Sequence, residues 1–177
     1  MIWESSYWKD DLLALSKKLN KVYKTKEYDE HLAARFEKDI MLALYSVRKL
    51  SEASKLSVGT IEKNIKVKAY KNIKNVTRMN WHRIEELYDL QNPMKEDIGI
   101  QKLYNQVIHS YIFFISTDDN QIINGFFFNS DKTRNDKLYY LDLTDFDNLI
   151  TMVGKDYPTE ANFIYDEKIK DYKVNSK

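Results

Sequence analysis

The stretch EYDEHLAARFEKDIMLALYSVRKLSEASKL, residues 27–56, decides most of the fold. Tyr28, Leu32, Phe36, Ile40, Ala43, Leu44, Val47 and Leu50 recur at helical spacing, which predicts one long amphipathic helix ended near Gly59. At 1.5 Å per residue such a helix is on the order of 45 Å long and forms the spine of the molecule. Met41 and Leu42 lie off the main stripe and suggest a second contact, with another subunit as one option.

Upstream, Trp8, Leu12, Leu15, Leu19 and Val22 make a first helix. Downstream, Ile65, Val67 and Ala69 alternate with lysines, the pattern of either a short edge strand or an ordered basic loop. A short helix is expected from Asn80 to Tyr88, closed by Asn92-Pro93, and another from about Lys95 to Ser110. The period then changes. YIFFIST (111–117), IINGFFF (122–128) and KLYYLDL (137–143) are aromatic and β-branched, and read as an antiparallel meander of three strands. Phe146, Leu149, Ile150 and Val153 form a covering helix, and the tail with Phe163, Tyr165, Ile169 and Tyr172 either docks or frays. The expected class is α+β in a single domain, 1–177: residues 1–110 an N-terminal helical bundle, residues 111–177 the three-stranded meander and its C-terminal helix.

With 177 residues, 31% charged, the chain has the mixture of a globular domain. Zero Cys removes disulfides, thiolate metal sites and thiol nucleophiles, and only 4 Gly and 2 Pro leave no glycine-rich phosphate loop. No metal and no cofactor is expected. No segment approaches 18 uncharged apolar residues, so no membrane is expected and the cytoplasm is the expected compartment. Net charge is +1, yet the charge is unevenly placed. Residues 61–83 carry Lys63, Lys66, Lys68, Lys71, Lys74, Arg78 and Arg83 against Glu62 alone, and residues 84–136 are acidic. Either the two segments pair with each other, or the basic one meets a polyanion.

Two constellations carry chemistry. In QKLYNQVIHS (101–110) the side chains of Lys102, Asn105 and His109 fall within a sector of about 60° on the expected helix, opposite its apolar face. An imidazole titrating near neutrality beside a carboxamide and an ammonium suits metal-free cleavage of RNA through its 2′-hydroxyl. A lone histidine on a polar helical face is more often simply solvated. The second is the basic segment, where Lys66, Lys68, Lys71, Lys74, Arg78 and Arg83 are interleaved with Tyr70, Trp81 and His82. Cations neutralise phosphates and aromatic faces stack on unpaired bases, which suits single-stranded nucleic acid.

The helix LYNQVIHS (103–110), set beside the long helix RFEKDIMLALYSVRKLSEASKLS (35–57), resembles the HEPN superfamily of helical domains over roughly residues 27–115. The resemblance implies a helical bundle, a homodimer, and a metal-independent endoribonuclease of bacterial antiviral-defence or toxin–antitoxin systems. His109 would be general base and acid, Asn105 would orient it or the phosphate, and Lys102 would offset developing charge. Tyr104 stands where the family most often has Arg, so the planar fork that grips phosphate is absent there. The alternative is a non-catalytic module that binds protein or nucleic acid through the basic segment or the aromatic sheet.

Overall fold

The computed structural model describes residues 2–168 and 170–177. In chain order the elements are α1 (Ser6–Lys18), which runs on through a π-helical turn (Leu19–Tyr23), α2 (Glu30–Glu52), α3 (Val58–Ile61), β1 (Asn64–Lys71), α4 (Ile84–Leu87), β2 (Met94–Gly99), α5 (Ile100–Ile108), β3 (Ser110–Thr117), β4 (Ile123–Ser130), β5 (Lys137–Asp142), α6 (Leu143–Lys155), β6 (Ala161–Asp166) and β7 (Asp171–Ser176).

The class is α+β, but the expected arrangement of a helical bundle followed by a three-stranded meander is corrected. Five strands form one antiparallel sheet in the order β2, β1, β5, β4, β3, and β6 with β7 form a separate two-stranded ribbon. The meander is real and comprises β3, β4 and β5. The two further strands come from the half expected to be helical. NIKVKAYK takes the strand alternative and lies inside the sheet between β2 and β5, not at its edge. MKEDIG, assigned to a helix starting near Lys95, is the edge strand β2, and the helix begins only at Ile100. The physical reason is pairing: β1 offers Ile65, Val67 and Ala69 on one side and needs a neighbour on each edge for its backbone groups. The helical bundle implied over residues 27–115 is thus interrupted by β1, β2 and most of β3.

The long helix is shorter than its pattern. Asp29 caps it, accepting a hydrogen bond from Leu32 N at 2.6 Å, and it stops at Glu52 because Ser54 adopts a left-handed conformation with φ of 55°. Its stripe Phe36, Ile40, Leu44 and Val47 is fully buried.

Helices α1, α2, α5 and α6 share one core with the inner sheet face of Ile65, Val67, Phe126, Phe128 and Leu141. Phe126 is its hub, with ring centroids 6.1 Å from Phe36, 5.3 Å from Phe113 and 5.6 Å from Phe146. Buried Lys9 ties the helix ends together: its ammonium donates to the carbonyls of Lys55 and Asp156 and lies 4.0 Å from the Tyr157 ring centroid. On the outer face a smaller core of Tyr70, Leu138 and Ile112 is covered by Val76, Ile84, Leu87 and Tyr88. These come from the excursion 72–93 between β1 and β2. In the tail, Phe163, Tyr165 and Tyr172 stand exposed on the ribbon, while Ile169 lies outside the described residues.

Candidate nucleic-acid interface

Successive side chains of a strand point to opposite faces, so burying Ile65, Val67 and Ala69 under the helices forces Lys66, Lys68 and Tyr70 to the outer face. The pairing register then builds a row across the whole sheet. Lys68 stands opposite Lys95 on β2 and Tyr140 on β5, Tyr140 opposite Phe127 on β4, and Phe127 opposite Phe114 on β3. Four strand spacings make this row about 19 Å long. Beyond Phe114 the excursion adds Trp81, its ring centroid 5.4 Å away and tilted 30°.

Two like charges face each other in this row. Lys68 and Lys95 are directly opposite and both exposed, an arrangement that repels unless an anion neutralises it. Lys68 lies 5.2 Å above the centroid of Tyr140, whose ring leans over Gly125 and packs 5.0 Å from Phe127. Burial, with help from the Asp142 charge, pushes the Tyr140 hydroxyl up to about 12, and it donates to Asn124 O at 3.3 Å. Around this point lies a cavity of about 400 Å³, its charged walls supplied by Lys66, Lys68 and Lys95 and by the carboxylates of Glu96, Asp97, Asp142 and Asp145.

The excursion is held down by its own polar contacts. The Tyr88 hydroxyl donates to Arg134 O at 2.6 Å and accepts from Asn129 Nδ2 at 2.8 Å, and Val76 N donates to Asn135 Oδ1 at 2.7 Å. It covers the Tyr70 end of the outer face and leaves the Lys66 end open. Lys74, Arg78 and Arg83 project from it into solvent, and Lys71 is exposed at the end of β1.

All six cations read from the sequence, Lys66, Lys68, Lys71, Lys74, Arg78 and Arg83, are therefore exposed. Among the described residues none of them has a carboxylate within 4.0 Å; the ion pairs are made elsewhere, as by Lys137 with Glu96 and Arg48 with Glu52. The acidic segment 84–136 makes no ion pair with these six within 4.0 Å among the described residues, although it sets Asp97 opposite Lys66 across β1 and β2.

The other constellation is spread along α5. Lys102 is exposed, with its ammonium 5.2 Å from the Tyr139 ring centroid, towards the sheet. Asn105 is half-buried, and His109 is exposed just past the last helical residue, its N–H bonded to Asn105 O at 3.2 Å. Asn105 and His109 are thus one helical turn apart, while Lys102 leans over the sheet. None of the three lines the cavity beside Lys68. The buried polar residue of α5 is Gln106, whose Oε1 accepts from Ser130 N at 2.9 Å and Thr133 Oγ1 at 2.6 Å.

Sequence reasoning missed Lys95 and Gly125. Lys95 sits in a strand whose composition is polar, and only its register beside Lys68 reveals it. Gly125 carries no chemistry of its own; its role is the space it leaves. Among the described residues no group of three His, Cys, Asp or Glu side chains is placed to hold a metal ion. No described helix is long and apolar enough to cross a membrane. No family model, curated protein or solved structure matches this chain.

Proposed function

We propose that this protein is a non-catalytic module that binds single-stranded RNA across the outer face of its sheet. The observation that carries the reading is the set of exposed cations that, among the described residues, form no ion pair within 4.0 Å, two of them, Lys66 and Lys68, beside the aromatic row of Tyr140, Phe127 and Phe114. Phosphates neutralise the lysines with release of counterions, and unpaired bases lie against the partly exposed rings of Phe127 and Phe114. The excursion walls off the other half of the face, which leaves a ledge for one strand.

The test is fluorescence anisotropy of a labelled single-stranded RNA of mixed sequence, titrated at several salt concentrations. Binding that weakens steeply with salt, and that is lost in Lys66→Glu/Lys68→Glu, supports the reading. No binding at low salt, or binding indifferent to that double change, overturns it.

A second reading is the metal-independent ribonuclease, favoured by the exposure of His109 one helical turn from Asn105. A neutral imidazole there takes a proton from a 2′-hydroxyl, and a homodimer would bring two such clusters into one cleft. Cleavage of RNA in chelator by the wild type but not by His109→Ala supports it; intact RNA with both proteins removes it.

A further inference from the structure

At the far end of the aromatic row, Arg78, Trp81 and Tyr111 line a separate, open surface cavity of about 340 Å³. Each wall has a structural cause. Trp81, 38% exposed, is backed on one side by Phe114 and touched edge-on by His82 at 6.0 Å, so its ring is held while part of it remains open. Tyr111 arrives by an irregularity in pairing: the register between β3 and β4 shifts between Ser110 and Ile112. This bulge lets Tyr111 and Ile112 both pack against the outer core, and bulges re-aim side chains in this way. Arg134, anchored on Asp131 at 2.7 Å, lies over the Tyr111 ring at 4.2 Å. The Tyr111 hydroxyl is buried and has no hydrogen-bond partner. Arg78 is exposed and, among the described residues, has no carboxylate within 4.0 Å.

We propose that this cavity is the pocket for one unstacked base of the bound RNA, an inference that rests on the RNA-binding reading. Trp81 supplies the stacking face, the Tyr111 side chain lines the pocket beside it, and the Arg78 guanidinium takes the phosphate next to the base. The combination suits a planar ligand that carries an adjoining negative charge. A flexible acidic peptide would satisfy Arg78 but leave the Trp81 face unused. The lysine ledge near Lys68 and this pocket stand at opposite ends of the same row, so a strand crossing the sheet reaches both.

The experiment compares wild type with Trp81→Ala, Trp81→Phe and Arg78→Gln, using a labelled single-stranded RNA and the same oligonucleotide carrying abasic positions. Loss of one stacked base weakens binding by roughly tenfold or more. Trp81→Ala is therefore expected to bind about tenfold more weakly with its salt slope unchanged, and Trp81→Phe to keep most of the affinity. Arg78→Gln is expected to lower the slope. The wild type is expected to bind the abasic strand about as weakly as Trp81→Ala binds the intact one, a readout that needs no altered protein. If wild type binds RNA through its lysines but treats abasic and intact strands alike, the pocket is refuted and the module stands. If wild type binds no RNA at all, both fall.

Discussion

The ring of Tyr140 occupies the space above Gly125: a Cβ at that glycine would stand 2.5 Å from the Tyr140 hydroxyl oxygen, 2.6 Å from its Cζ and 2.6 Å from the carbonyl oxygen of Leu141. One of these obstacles is backbone, so the clash cannot be relieved by a rotamer change alone. Gly125→Ala is expected to cost about 1–3 kcal/mol, the usual range for overpacking. It also lifts Tyr140 from beneath Lys68. Urea unfolding of the variant checks the first effect, and RNA affinity at fixed salt the second; a fully stable variant contradicts the close packing described.

Lys66 and Lys68 are expected to act through charge and not through shape. Each phosphate contact on a single strand contributes about 0.7 to the slope of log K against log salt. Lys66→Gln and Lys68→Gln should each lower that slope by about this amount and weaken binding uniformly across sequences. Lys18→Gln is the control, because Lys18 is paired with Asp39 at 2.5 Å on the helical side. A slope unmoved by all three changes would place the contact surface elsewhere.

Lys9 is expected to be structural. Its burial, which pulls its pKa down against the opposing Asp156 charge, is offset by two carbonyl acceptors and the Tyr157 ring. Lys9→Met removes the donor and leaves the Lys55 and Asp156 carbonyls short of a partner, at a cost of about 1–3 kcal/mol. Differential scanning calorimetry should show a lower Tm. RNA binding by the folded fraction should not change, because Lys9 sits on the helical side, away from the ledge.

Alkaline pH should weaken the fold through its tyrosines. Burial raises both Tyr88 and Tyr140 from 10.0 to about 12. A phenol with a raised folded-state pKa contributes stability that is complete below the unfolded value and is lost as pH climbs through the folded one. Stability is therefore expected to decline between about pH 10 and 12, where the unfolded chain ionises first. The decline should be shallower in Tyr140→Phe, as measured by urea midpoints across that range; an identical pH profile would mean that Tyr140 is not buried as described.

The local periods were legible. The 3.6-residue stripe of α2 and the aromatic, β-branched runs of β3, β4 and β5 announce themselves in single segments, because α2 buries one face while these strands are covered on both. Ile65, Val67 and Ala69 alternate with lysines, so β1 was readable as one of two alternatives. β2 was not, since MKEDIG sets only Ile98 in the core and offers almost no apolar signal. A strand of that kind is held by backbone pairing with β1, and pairing between segments about 30 residues apart leaves no trace in either one. The clustering of Lys66, Lys68, Arg78 and Trp81 along the chain was visible, whereas their division into a ledge and a pocket was not.

By itself, the order of residues settled which faces are apolar, where charge accumulates, and which chemistries lack their atoms, because those properties belong to neighbours along the chain. Only the tertiary structure decided that β1 is interior, that Lys95 faces Lys68, that Gly125 makes room for Tyr140, and that a bulge brings Tyr111 to Trp81. Those relationships depend on strand order and register. Both are set when segments distant in sequence compete to bury the same surface and satisfy the same backbone groups.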